Sequence, residues 1–218
     1  MHFNDRTSLG ERFAGEFSDL NMKDAVLVCL EPSSELTCVS MAINLHAWVY
    51  PFISIPVYEK STSVCVGALS ELGEMCFVSE FLDDSGKPKT SAVETFEKQK
   101  TALHKELKAL IKKRNISIDE KVLGGRDVIL VADSLQSTAQ LLAANSMLAK
   151  THPKSISVTI GNANNEVAQL AHRTTDRAII LDVISGVMHA NARYFTHGDE
   201  YNDSEKATLI SNIVTYWR

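Results

Sequence analysis

The chain has 218 residues, 44% of them hydrophobic and 22% charged, enough apolar material for one compact domain and too much for a disordered chain. Its 22 basic residues against 27 acidic ones leave a net charge of −5 with no long basic face, so no nucleic-acid partner is expected. No apolar run reaches membrane-spanning length and the start MHFNDRTSLGERF lacks an export core, which leads to the expectation of a cytoplasmic protein with no membrane partner.

Ser8-Leu9-Gly10-Glu11 has capping-box form, and Phe13, Phe17 and Leu20 follow at helical spacing, which predicts a helix beginning at Ser8. Asp24 then introduces AVLVCL, a continuous apolar run of the kind a parallel strand shows when both its faces are covered. Glu31-Pro32-Ser33-Ser34 breaks the run, and Leu36, Val39, Ile43 and Ala47 mark one face of a second helix. PFISIPVY reads as one further strand, with Pro51 and Pro56 near its ends. TSVCVGAL and GEMCFVSEF, joined by Glu71-Leu72-Gly73-Glu74, suggest a hairpin or two linked strands, and LDDSGKPKT is loop-like throughout.

Ser91-Ala92-Val93-Glu94 is a second capping box, followed by an apolar stripe of Phe96, Leu103, Leu107, Leu110 and Ile111 on a helix ending near residue 115. The basic run Lys112-Lys113-Arg114 suits the negative end of that helix. After Gly124-Gly125 come strand 128–132, helix 138–149, strand SISVTI, helix 164–172 and strand RAIILDV. Such alternation implies an α/β fold, a doubly wound and mainly parallel sheet with helices on both faces. The expected organisation is a single domain over 1–218 with a loop, hairpin and helix insertion over 60–120. Cys29, Cys38, Cys65 and Cys76 form no Cys-x-x-Cys pair and read as reduced thiols in or beside apolar runs.

VILVADSLQSTAQLL, residues 128–142, resembles the signature of the type I phosphoribosyltransferase family, in which a strand ends in two acidic residues and a Thr-Gly-x-Thr turn opens a helix. DAVLVCLEPSSELTCVSMAINL looks like that family's first strand, pyrophosphate-loop turn and following helix. VGALSELGEMCF is similar to the Gly-Ala-x-x-Glu-x-Gly segment of a bacterial branch of the family, GGRDVILVADS to that branch's approach to the ribose-phosphate loop, and TDRAIILDVISGVMHANARYF to its last strand. The likeness covers roughly residues 10–215. It implies the type I fold with a small hood, a homodimer, and a site for phosphoribosyl pyrophosphate in which the acids hold the ribose hydroxyls and backbone amides surround the 5′-phosphate. Magnesium would enter only with that substrate.

Several positions depart from the pattern. Ala132 stands at the first acidic position and leaves Asp133 alone; Ser134 replaces a glycine, Ser137 and Thr138 the Thr-Gly pair, and Gln140 the last threonine. A missing charge-assisted hydrogen bond costs about 1.5–3 kcal/mol, and a non-glycine residue forced into a left-handed conformation costs on the order of 1–2 kcal/mol. Together they amount to a loss of roughly a hundred- to several thousand-fold in affinity. In the second loop Pro32, Ser33, Ser34 and Glu35 take the place of a basic residue and glycines. Glu31 and Glu35 put negative charge where a polyanion should bind, and like charges at about 4 Å repel by roughly 4 kcal/mol at an effective dielectric of 20.

The candidate ligand contacts are therefore Asp133, Ser134, Leu135, Gln136, Ser137, Thr138, Ala139 and Gln140 in one loop, Pro32, Ser33, Ser34 and Glu35 in the other, and Lys60 as a phosphate contact. Each has an ordinary alternative: Asp133 as a strand-ending turn residue, Ser137 or Thr138 as a helix cap, Lys60 as a solvated lysine. Gly161-Asn162-Ala163-Asn164-Asn165 lies where doubly wound sheets bind ligands, and reads equally as a turn with an Asn cap. His189, His197, Arg193 and Tyr194 lie close together in the tail, but no His-x-x-x-His pair, Gly-x-Ser-x-Gly elbow or Walker sequence is present. Two functions fit: a degenerate, noncatalytic relative with a regulatory, structural or altered nucleotide- or sugar-phosphate-binding role, or an active transferase of a phosphoribosyl group to a nitrogenous base.

Overall fold

Apolar runs such as Val26–Cys29 can be buried on both faces only when helices cover a sheet from two sides, and that is the arrangement found. The computed structural model describes residues 3–18, 24–114, 120–184, 195, 196, 205 and 208–212. Helix α1 (Arg6–Gly15) leads to β1 (Val26–Cys29), a 3-10 turn at Pro32–Ser34, α2 (Glu35–Leu45) and β2 (Trp48–Pro51). Three strands follow, β3 (Ser54–Tyr58), β4 (Cys65–Ser70) and β5 (Met75–Phe77), then the long α3 (Thr90–Arg114). The chain closes the main sheet with β6 (Asp127–Leu135), α4 (Thr138–Thr151), β7 (Ser155–Ala163), α5 (Asn165–Thr174) and β8 (Arg177–Val183).

The main sheet has the order β2-β1-β6-β7-β8, all parallel, and β3-β4-β5 form a separate antiparallel sheet. Leu27, Cys29, Ile129 and Val131 pack toward α1 and α2, while Val128, Leu130, Val158 and Ile160 pack toward α4 and α5. This is the expected doubly wound α/β class, a parallel sheet with helices on both faces, and the small antiparallel sheet, the hood, places β4 and β5 within the expected insertion. The stripe on α3 is covered by that hood: Phe96, Leu103 and Leu107 are buried with Ile55, Val57, Val66 and Leu69, and Ile111 alone of the stripe is 43% exposed.

Several local expectations change. Asp5, not Ser8, caps α1, its carboxylate accepting from the Ser8 amide at 2.7 Å, because an Asp three residues earlier satisfies the same orphan donors. PFISIPVY is not one strand: Pro51 ends β2 in the main sheet and Ser54 starts β3 in the hood, with Phe52 and Ile53 turning the chain between them. On α2 the buried face runs through Leu36, Cys38, Val39, Met41 and Ala42, and Ile43 is 56% exposed. Helix α3 starts at Thr90, one residue before the expected cap.

Strands β6 and β7 each run three residues beyond their expected ends, so that Ser134 pairs with Asn162 and Leu135 with Ala163 where loops were expected. Asp133 and Leu135 lie fully buried inside the strand. Burial explains the extension, since backbone groups withdrawn from water need partners and the neighbouring strand supplies them.

Candidate ligand site at the carboxyl edge

Asp133 sits near the end of β6 with its side chain toward α1 and α2. Arg6 Nε donates to its Oδ2 at 2.6 Å and Thr37 Oγ1 to its Oδ1 at 2.5 Å, while its own amide donates to Ser34 Oγ at 2.8 Å. Arg6 opens α1 and Thr37 lies in the first turns of α2, so the pairing depends on how closely the two helices meet. Gly10 permits that approach: a Cβ there would stand 2.5 Å from the Thr37 carbonyl oxygen. Ser40 Oγ adds a bond to the Thr7 carbonyl at 2.8 Å. The Arg6 guanidinium carbon lies 4.7 Å from the centre of the Phe195 ring, and Phe3 forms a β-bridge with Phe195.

On the opposite face of the sheet the polar groups bond largely to one another. Ser134 Oγ donates to Asn162 Oδ1 at 2.7 Å, and Gln136 Nε2 reaches the same oxygen at 3.1 Å. Asn164 Nδ2 closes on the Gln136 carbonyl at 2.8 Å and its Oδ1 caps α5 by accepting from Val167 N at 2.9 Å. Asn162 is fully buried, and its Nδ2 has no hydrogen-bond partner. Of residues 161–165, the first three therefore belong to β7, and Asn164 is the cap.

The connection from β6 to α4 is two residues long, Gln136 and Ser137. Ser137 Oγ accepts from the Ala139 amide at 3.2 Å, which is the cap role; Thr138 begins the helix and Ala139 is buried. Gln140, one turn in, donates across the edge to Glu31 Oε1 at 3.3 Å.

The second loop is equally compact. Pro32, Ser33 and Ser34 form the 3-10 turn and Glu35 starts α2. Glu31 faces inward with Ser33 Oγ at 3.2 Å. Burial, then the charge of Asp133, pushes its carboxyl from 4.5 to about 7, against the opposing hydrogen bonds of Gln140 and Ser33 and the smaller pull of Arg6. Tyr58, at the end of β3, lies in the same field, its phenol raised by burial, by Cys65 and by Glu31. Lys60 is exposed in the turn joining β3 to β4.

Among the described residues no three His, Cys, Asp or Glu side chains converge as a metal ion would require. A protein-held magnesium does not fit here, because Asp133 pairs with Arg6 and Glu31 keeps its proton to near neutrality. Cys29 and Cys38 are buried side by side under the edge, and burial, with Cys29 adjacent, pushes the Cys38 thiol up; all four cysteines are free. A shallow cleft of about 230 Å³ lies between the hood and helices α4 and α5, floored by Phe77, Leu82, Leu142 and Leu170 and reached by Thr138. His189, His197, Arg193 and Tyr194 lie outside the described residues.

The sequence reading missed Arg6 and Thr37. Nothing local marks either one, since Arg6 meets Asp133 across 127 positions of chain.

No family model matches the chain, and no curated protein matches it in sequence. Among solved structures, TT1426 from Thermus thermophilus superposes with a TM-score of 0.70 at 20% identity, covering 96% of this chain and 98% of that one. The AQ2163 protein from Aquifex aeolicus gives 0.50 at 12% identity, covering 84% and 77%. A hypoxanthine phosphoribosyltransferase from Staphylococcus aureus gives 0.45 at 9% identity, covering 82% and 72%. The first two likenesses concern the fold alone, and a fold does not carry an activity with it. No helix among the described residues is long and apolar enough to cross a membrane.

Proposed function

We propose that this chain is a phosphoribosyltransferase-like protein whose phosphoribosyl pyrophosphate site is degenerate, and that it serves a noncatalytic role, regulatory or structural, or binds an altered nucleotide or sugar phosphate. One observation carries the reading: the single acid left where two should hold the ribose is fully buried, with Arg6 and Thr37 of its own chain on its two oxygens. A ribose hydroxyl would have to displace a charge-assisted hydrogen bond from a part-buried guanidinium, a cost of about 1.5–3 kcal/mol. The compact 3-10 turn and the inward Glu31 add to it, since no basic side chain in residues 31–35 offsets the charge of pyrophosphate.

The active alternative draws on position: Asp133, Ser134, Gln136, Ser137, Thr138 and Gln140 all lie at or beside the carboxyl edge and the amino end of α4, where a transferase would hold its sugar phosphate. In that case magnesium would arrive with the pyrophosphate, Lys60 would move in from the hood turn, and catalysis would rest on positioning. Titration with phosphoribosyl pyrophosphate and magnesium separates the readings. A homodimer, suggested by the same resemblance, belongs to the proposal too; sedimentation showing a concentration-independent monomer would remove it.

A further inference from the structure

The cleft between the hood and helices α4 and α5 is built from one face of each helix. On α5, Glu166, Gln169, Leu170 and Arg173 stand at positions i, i+3, i+4 and i+7, which places them in one row. On α4, Thr138 and Leu142 lie one turn apart, and Phe77 and Leu82 complete the floor from the hood side. The four apolar side chains of this floor are only partly covered. The polar lining differs from that of the carboxyl edge beside it. At the edge the side chains of Ser134, Gln136 and Asn164 bond to their neighbours. In the cleft no side chain of Glu80, Thr138, Glu166, Gln169 or Arg173 has a hydrogen-bond or ion-pair partner among the described residues. Opposite charges therefore line one cleft without meeting. Glu166 is in the first turn of α5 and Arg173 in the last, about 10 Å apart along the axis at about 1.5 Å per residue.

We propose that this cleft binds a small zwitterion with an apolar body, the size of a dipeptide, its carboxylate taken by Arg173 and its ammonium by Glu166. The helix dipole favours an acid in the first turn and a base in the last, so α5 holds the two charges apart at no cost to itself. Between them Leu170, with Leu142 and Phe77 opposite, offers apolar surface to the ligand's side chains. Two or three extended residues span about 7–11 Å, which matches the separation of the two charges. The cleft measures about 230 Å³, below the roughly 300–1,000 Å³ of drug-sized sites, and so suits a ligand of that length. Glu80 on the hood rim makes the count two carboxylates against one guanidinium, which opposes a phosphate or nucleotide. The Gln169 amide and the Thr138 hydroxyl remain for the peptide bond. Of the candidate contacts at the edge only Thr138 lines this cleft, so the failure of either reading leaves the other standing.

Carbon-13 methyl NMR of the leucine-labelled full chain, titrated with leucyl-leucine, tests it, with the methyls of Leu142 and Leu170 assigned through Leu142→Met and Leu170→Met. Those methyls should shift saturably, with a dissociation constant below about 1 mM. Amidating the dipeptide's carboxylate or acetylating its amine should each weaken binding at least about threefold, the scale of one exposed ion pair. The charges should also pair off. Arg173→Gln should weaken the free dipeptide by the same factor and leave the amide unchanged, and Glu166→Gln should do the same with the acetylated form. Both side chains are exposed on α5, so neither substitution reaches the core. No saturable shift up to about 10 mM, equal binding of the blocked forms, or tighter binding of a nucleoside monophosphate at the same methyls overturns the proposal.

Discussion

The two connections at the carboxyl edge of the main sheet, β6 to α4 and β1 to α2, are filled by different means. Between β6 and α4 the closure is neutral: Ser134, Gln136, Asn162 and Asn164 bond to one another and Ser137 spends its hydroxyl on the helix. Beside the β1–α2 turn the groups are charged: Asp133 of β6 pairs with Arg6 of α1, and Glu31 has long neutral contacts and a raised carboxyl. A neutral network of this kind is nearly indifferent to pH and costs little to lose, whereas a buried charged one is rigid when complete and severe when broken. Of these two connections, the charged groups gather beside the one between β1 and α2.

Breaking the charged side should have the largest effect. Arg6→Ala leaves the Asp133 carboxylate buried without its guanidinium and should lower stability by about 3–5 kcal/mol in equilibrium urea unfolding. Replacing both partners by apolar residues, Arg6→Met with Asp133→Leu, should recover most of that loss, because neither member of the pair is left buried without the other. A double variant as unstable as the single one would mean that the ion pair is not what the edge depends on.

Next comes the pH dependence. Glu31 binds its proton more tightly folded than unfolded, raised from 4.5 to about 7. Its contribution is therefore complete below about pH 4.5 and is lost as the pH rises through about 7, with a total on the order of 2–3 kcal/mol. Glu31→Gln should remove that slope from unfolding curves measured between about pH 5 and pH 8. An unchanged slope would assign the pH dependence to another group.

The neutral side should respond weakly. Ser134→Ala, which leaves Asn162 Oδ1 with Gln136 as its donor, should cost about 1 kcal/mol. Ser137→Ala should cost about 1 kcal/mol through the lost cap and Ser137→Gly only a few tenths, read as thermal midpoints. Losses at Ser134 equal to those at Arg6 would erase the contrast between the loops.

The fold was largely legible because its signals are local. Continuous apolar runs gave β1 and β8, and the spacing of Phe96, Leu103 and Leu107 gave α3. Cys65–Ser70 and Met75–Phe77 pair through a turn at Gly73, whose φ of 78° marks the hairpin that the sequence suggested. What failed were boundaries set by tertiary partners. Asp133 and Ser134 look like the end of a strand, yet β7 continues alongside and the strand continues with it. Phe52 and Ile53 are as apolar as their neighbours, so nothing in PFISIPVY marks the change of sheet. At the edge the sequence showed Ala132 and a glycine-free turn, but not which groups meet Asp133. Arg6 belongs to a helix whose own cap and core already account for its sequence, and its carboxylate partner lies 127 residues away.

Isothermal calorimetry of the wild-type chain with phosphoribosyl pyrophosphate and magnesium, beside a nucleoside monophosphate and a buffer control, tests the self-occupied site most directly. With Arg6 and Thr37 on Asp133, the pyrophosphate should give no saturable heat at concentrations up to about 1 mM, where binding would be worth roughly 4 kcal/mol. Saturable micromolar binding that Asp133→Ala abolishes would contradict the account and establish a working substrate site.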